Sequence, residues 1–171
     1  MRIVVILAPA IVFAGVAIAE AAEATGAPPV KLAVFPFELE DVSAGAGTTP
    51  PDEIDREQLR LSTEEARRLI AGSGRYQLVD VSAATDPTAK AGNLRKCEGC
   101  EARIAAGLDA DQSMIGIVAR ISRTEYAVTY RIRDVRSGTL VESKQTDLRM
   151  GANVAWSRGA RWLIQNRLLE R

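Results

Sequence analysis

Apolar positions along the chain fall into runs of three kinds. The first, from Ile3 to Ala19, is almost wholly apolar and follows a lone basic residue, Arg2. The second kind has strand length: VKLAVFPFEL (Val30 to Leu39), RYQLVDV (Arg75 to Val81), QSMIGIVARIS (Gln112 to Ser122), YAVTYRIRDV (Tyr126 to Val135) and TLVESKQTDL (Thr139 to Leu148). The third recurs at helical spacing, with Leu59, Ala66, Leu69 and Ile70 in one segment and Trp156, Ala160, Leu163 and Ile164 in another. These spacings predict helices over about Glu53 to Ala71 and about Asn153 to Leu169. A shorter helix is expected from about Glu98 to Gly107, with Ile104 and Leu108 turned inward.

The strand over Val30 to Leu39 is so continuously apolar that both of its faces should be covered. Val128, Tyr130 and Ile132 instead alternate with Thr129, Arg131 and Arg133, the pattern of a sheet with one wet face. Pro51 and Asp52 mark the start of the first helix, and Gly72, Ser73 and Gly74 its end. The turn Arg136 to Gly138 after Asp134 reads as hairpin punctuation. The predicted order is β-α-β-α-β-β-β-α: an α/β domain, specifically an α+β sandwich of two or three layers with helices packed on a mixed sheet.

The leading apolar run barely reaches the roughly 18 to 20 residues of a membrane span, contains Pro9 and Gly15, and ends among small residues. It is expected to be a secretory signal peptide over residues 1–24, cleaved after Ala19, Ala22 or Ala24, followed by a linker over 25–29 and one domain over 30–171. No cysteine follows the run, so no lipid anchor is expected, and no membrane span remains after cleavage. The expected location is the periplasm. With 22 basic and 22 acidic residues interspersed, the chain lacks the phosphate-neutralising surface that nucleic-acid binding requires.

KLAVFPFE, YQLVDV, and AAGLDADQSMIGIVARIS followed by YRIRDVRSGTLV together resemble the small envelope domain of TolB's N-terminus, the curli secretion protein CsgG and the penicillin-binding-protein activators. Leu108, Ala110, Asp111, Gly116, Asp134, Ser137 and Gly138 fill the pattern's places, while Asp109 stands where a glycine is usual. The CEGCE motif and the closing WSRGARWLIQNRLL resemble more narrowly a family of small secreted, lipoprotein-like bacterial proteins, a domain of unknown function. The resemblance spans Lys31 to Leu169. It implies the fold above and a role in binding another envelope or periplasmic protein, with no cofactor. An accessory role in periplasmic quinoprotein alcohol oxidation is a looser implication.

Chemistry is constrained by what is missing. There is no histidine, so Ser-His-Asp and Cys-His systems and H-E-x-x-H metal sites cannot be built. The two cysteines, Cys97 and Cys100, form a C-x-x-C pair with three readings. In an oxidising space they close a local disulfide at the entry to the second helix. Beside Arg95 and Lys96 they would instead favour a thiolate and support thiol-disulfide oxidoreductase activity, although Glu98 and Glu101 bring opposing charge. A zinc site needs four ligands, so a metal would require a second copy of the chain; no metal is assigned. The redox pair is the one catalytic candidate, and no enzyme is expected.

Three further features complete the inventory. Gly45 to Thr49 sits where a phosphate loop would, without its lysine, and reads as an ordinary loop. Glu38, Glu40, Asp41 and Asp52 flank it and are expected to be solvated. In the closing helix Trp156 belongs to the apolar face, whereas Trp162 falls on another side near Arg158. Trp162 either packs on a sheet edge or, with Arg158, forms a partner-binding anchor.

Overall fold

The computed structural model describes residues 28–48, 50–148 and 155–170. The expected signal peptide and the first two residues of the expected closing helix, 153–154, lie outside the described residues.

The apolar run at the front of the domain is two strands, β1 (Val30–Val34) and β2 (Glu38–Asp41), laid end to end along one long neighbour, β4 (Gln112–Arg120). Val34 pairs with Met114 and Glu38 with Ile117, so Phe35, Pro36 and Phe37 stand opposite only Ile115 and Gly116. One surplus residue makes this a bulge, and a bulge reverses which face each later side chain points to. Leu32 and Val34 join one apolar cluster and Ala33 and Phe35 the other; beyond the bulge Phe37 and Leu39 return to the first cluster. The Phe37 ring then rests on Gly116, where an added Cβ would lie 2.3 Å from ring carbon.

The backbone groups freed by the bulge are met by helix α1 (Glu53–Gly72). Pro36 has no N–H to satisfy. The Phe37 N–H donates to Thr63 Oγ1 at 2.9 Å, and one turn later Arg67 donates to the Val34 carbonyl through Nη2 at 2.6 Å and Nε at 3.1 Å. Small or polar side chains, Ser62, Thr63 and Ala66, therefore occupy the buried stripe of α1, which lets the helix approach closely. The helix starts as predicted at Asp52, whose side chain accepts from the Asp55 N–H while Asp55 reaches back, a reciprocal cap.

Strand β3 (Tyr76–Val79) pairs parallel to β1, and β4 pairs antiparallel to β5 (Tyr126–Asp134), which pairs antiparallel to β6 (Leu140–Leu148). The sheet order is β3-β1-β4-β5-β6, with β2 beside the far half of β4. The fold is the α/β sandwich on a mixed sheet expected from the sequence. The connector after β3 contains a single helical turn, α2 (Pro87–Lys90), capped by Asp86. Helix α3 runs Cys100–Ala106 and the closing helix α4 runs Trp156–Leu163, continuing as a π-helical stretch over Ile164–Leu169.

Two cores follow from this arrangement. Helices α1 and α4 cover one face with Leu32, Val34, Phe37, Ile70, Met114, Tyr130 and Trp156 among the buried set. The other face is covered over β1, β4 and the end of β3, by α3 and its approach, around Phe35, Leu94, Ala105, Ile115 and Ile117. The domain thus has three layers at its centre and two toward β6, where Thr129 and Arg131 are only partly covered. Within α3, Ala102 and Ala105 are the buried residues while Ile104 and Leu108 are half-buried, because the helix packs its small side near β4.

The motif residues of the second half make turns. Asp109 takes a left-handed backbone (φ 59°), the conformation that explains why glycine is usual there, and pairs with Lys31 Nζ at 2.5 Å. Asp111 Oδ2 accepts from the Lys31 N–H at 3.0 Å, fastening the start of β4 to β1. Asp134 accepts from the Ser137 N–H at 2.8 Å, with Gly138 at φ 69° closing the hairpin.

Glu65 ties α1 to α4 by accepting from Arg68 (2.8 Å) and from Arg161 (2.6 Å). Arg68 first, then Arg161, holds its carboxyl down to about 2. A carboxylate depressed on folding contributes stability above its unfolded value near 4.5 and loses it as pH falls toward 2. Glu65→Gln should therefore cost about 1 kcal/mol at neutral pH, and nothing below pH 2, in urea titrations at a series of pH values. Gly116→Ala should cost about 1 to 3 kcal/mol through overpacking against Phe37, seen as a lower denaturant midpoint with an unchanged slope.

Candidate functional site

The cysteine pair lies on the core face covered by α3. A short 3₁₀ turn, Leu94–Lys96, ends at Cys97, and Gly99 adopts a left-handed backbone (φ 93°) so that the chain can turn into α3 at Cys100. Cys97 and Cys100 are joined by a disulfide, with their Cα atoms 5.6 Å apart. Cys100, and not Cys97, opens the helix. The two sulfurs differ in access, Cys97 being half-buried and Cys100 buried. Cys97 Sγ lies 3.1 Å from the Leu94 carbonyl oxygen.

The charges around the pair are arranged differently from the sequence expectation. Arg95 is held by Glu38, its Nη1 donating at 3.0 Å, while Lys96 and Glu98 are exposed. Glu101 is turned inward and is only 2% exposed. Its Oε1 accepts from Arg133 Nε of β5 at 2.8 Å, and Arg133 Nη1 also donates to the Gly138 carbonyl. The second oxygen, Oε2, is buried without a hydrogen-bond partner. Cys97, Cys100 and Glu101 bring donor atoms within 4.8 Å of one another. With both sulfurs in a disulfide they supply no thiolate for a metal.

Glu38 corrects the expectation that the acids near the first loop are solvated. The bulge places it on the inner face, 5% exposed, where its carboxylate accepts from the Leu94 N–H (2.7 Å), the Arg95 N–H (3.1 Å) and the Arg95 side chain. A buried carboxylate requires such partners. The other three acids are taken up separately: Asp41 pairs with Arg120 at 3.2 Å, Asp52 caps α1, and Glu40 is exposed. Arg120 also binds the buried Asp55, at 2.5 Å. The loop over Ser43 to Thr48 closes on itself, with the Gly45 N–H donating to Ser43 Oγ and Thr48 Oγ1 donating to the Gly45 carbonyl.

A cleft of about 560 Å³ opens beyond the carboxyl ends of the parallel strands β1 and β3, between apolar walls that include Pro36, Leu78 and Val81. That position is the usual ligand crevice of an open α/β sheet. Its charged lining is Arg67, Asp80 and Lys90, with Arg67 anchored on the Val34 carbonyl. Burial pulls that guanidinium below its ordinary value, against the opposing influence of Asp80 and Glu64. Arg67 thus has a structural task as well as a place in the cleft.

On α4, Trp156, Ala160, Leu163 and Ile164 are buried, as the spacing predicts. Trp162 points the other way, 42% exposed, with the Arg167 guanidinium 5.2 Å from its ring centre. Arg158, one turn earlier, is exposed. The Trp162 carbonyl accepts from the Asn166 side chain at 2.7 Å, and Arg75 closes the helix end on the Leu168 carbonyl at 3.0 Å.

Sequence reasoning had singled out Cys97, Cys100, Arg158 and Trp162. The structure brings the cysteines together on one core face and puts Arg158 and Trp162 on a helix of the opposite one. It missed Glu38, Glu101 and Arg133 as internal charges. Glu38 carried a signal, standing between Phe37 and Leu39 in an otherwise apolar run; Glu101 and Arg133 carried none, because their meeting depends on how α3 sits on β5.

These features define a small α/β domain with a bulged first strand, a disulfide-closed entry to its third helix and internal ion pairs that fasten helices to the sheet. The chain belongs to the DUF3280 family, described as "Protein of unknown function (DUF2380)", whose model matches residues 30–168. No curated protein matches it in sequence. Its fold is shared with the LpoB C-terminal domain from Salmonella enterica, at 14% identity and a TM-score of 0.50 over 74% of this chain and 87% of that one. Lipoprotein GNA1162 from Neisseria meningitidis is similar at 15% identity and a TM-score of 0.47, over 73% and 84%. TolB from Acinetobacter baumannii is similar at 12% identity and a TM-score of 0.46, over 82% of this chain and 28% of that one. The family expected from the CEGCE and closing-helix motifs, a domain of unknown function, agrees with this membership. Among the described residues no helix is long and apolar enough to cross a membrane.

Removing the Glu38 carboxylate leaves two backbone N–H groups and a guanidinium without their acceptor. Glu38→Ala should cost about 3 to 5 kcal/mol, and amide hydrogen exchange at Leu94 and Arg95 should accelerate more than at β5.

Proposed function

We propose that the protein is an exported bacterial envelope module that acts by binding another envelope or periplasmic protein as an accessory factor. Three things support this reading: the resemblance of the chain's motifs to small envelope domains, the fold shared with the LpoB C-terminal domain, and the outer surface of α4. The last carries it. Trp162 is a large aromatic left 42% exposed on a helix whose other tryptophan is fully buried, and exposed Arg158 and Arg167 flank it. Tryptophan and arginine are the residues most enriched where binding energy concentrates. The matching partner surface is an apolar pocket rimmed by carboxylates, since Arg158 and Arg167 form no ion pair among the described residues. Nothing among the described residues favours the accessory role in quinoprotein oxidation over any other envelope role.

The test is a photo-crosslinking residue at position 162 in the exported protein, expressed in its own host. One envelope protein should be captured, and purified partner should bind the Trp162→Ala variant at least about tenfold more weakly. Capture of nothing, or affinity unchanged by both Trp162→Ala and Arg158→Glu, would overturn the reading.

A further inference from the structure

We infer that the Cys97–Cys100 disulfide is a thiol-disulfide exchange site for protein or peptide dithiols, with Glu101 carrying the proton. This goes beyond the binding role above and sits on the opposite face of the sheet from α4. Three observations converge. Cys97 is half-buried while Cys100 is buried, so attack falls on the less covered residue. The carboxylate of Glu101 lies within 4.8 Å of both sulfurs. And Oε2 of that carboxylate, in a residue 2% exposed, has no hydrogen-bond partner, although burying an unsatisfied carboxylate oxygen is costly. A purely structural staple gives no reason for that oxygen. A proton carrier needs it free.

Arg133 holds the other oxygen at 2.8 Å and is itself fixed by the Gly138 carbonyl at 3.1 Å, so the carboxylate cannot swing away from the sulfurs. Arg133 is therefore a positioning residue. Its side chain also passes beneath Gly99, at 3.8 Å from where a Cβ would stand, which seats the Cys97 to Cys100 loop directly over the ion pair.

A substrate thiol loses its proton to water as its sulfur bonds to Cys97 Sγ. The Cys97–Cys100 bond breaks, its electron pair leaves on Cys100 Sγ, and Glu101, carrying a proton taken from water, gives it to that buried sulfur. The substrate's second thiol then attacks the substrate sulfur of the mixed disulfide, and Cys97 leaves and takes the second proton. One substrate dithiol is oxidised to a disulfide and the protein's disulfide is reduced to two thiols. A second protein disulfide, reacting in reverse, restores the starting state.

The experiment mixes the oxidised mature chain with a reduced dithiol peptide, quenches with acid and maps the adduct by mass spectrometry. The mixed disulfide should sit on Cys97 alone. Glu101→Gln, which keeps an acceptor for Arg133, should slow the first step on the order of a hundredfold at pH 6. Below the pKa of the attacking thiol, about 8.5, the variant's rate should climb about tenfold per pH unit with the thiolate fraction, whereas the natural protein's profile should be flatter. The inference is overturned if the native disulfide exchanges no faster than global unfolding allows, if adducts form equally on both sulfurs, or if the two pH profiles coincide. Should Glu101→Gln fail to fold by circular dichroism, the natural protein decides alone: a tenfold climb per pH unit in its own rate sinks the role of Glu101.

Discussion

The seat of Phe37 on Gly116 is the contact from which the rest of the domain is organised. A strand that ran straight from Val30 to Asp41 would send Phe37 to the α3 side and Glu38 under α1. The surplus residue at Phe35 to Phe37 prevents this, and the ring finds the one position on β4 with no side chain in its way. Everything nearby is adjusted to that choice. Thr63 and Arg67 lie one helical turn apart because the bulge leaves a free N–H and a free carbonyl at that spacing. Glu38 is internal because the bulge turned it inward, and it in turn holds the Leu94 and Arg95 amides that lead to the cysteines.

Internal charge is used here for attachment. Glu38 with Arg95, Asp55 with Arg120 and Glu101 with Arg133 each link a helix or its approach to a strand far away in sequence. Such pairs repay their desolvation only when the geometry is good and the remaining lone pairs are satisfied. Glu38 meets that condition with three donors. Glu101 does not: one of its oxygens has no hydrogen-bond partner, and its carboxylate lies within 4.8 Å of the sulfurs. The two buried glutamates on this core face thus differ in how fully their oxygens are paired.

The two functional readings divide the molecule by face. The α4 side presents an aromatic and its arginines outward while committing Trp156 to the core, and its attachment to α1 through Glu65 gives it a firm base. The α3 side carries a disulfide between half-buried Cys97 and buried Cys100. A domain with both could hold a partner on one side while exchanging thiols on the other, or belong to an assembly in which only one surface is used.

Much of the architecture was legible from residue spacing. Period-two alternation on β5, helical spacing on α1 and α4, the Asp52 cap and the Asp134 to Gly138 turn are local, so short-range sterics and hydrogen bonding determine them wherever the chain lies. The apolar run at β1 showed correctly that both faces are covered, because continuous hydrophobicity has no other use in a short strand. The bulge could not be read, since a surplus residue is defined against the partner strand. The same holds for Glu38 and Glu101: a glutamate's letter does not say whether an arginine from elsewhere will meet it. The spacing of Cys97 and Cys100 allowed the pairing that the structure shows. What stands beside that pair, an inward carboxylate with one free oxygen, was decided only when α3 settled on β4 and β5, because long-range packing and not local preference places it there.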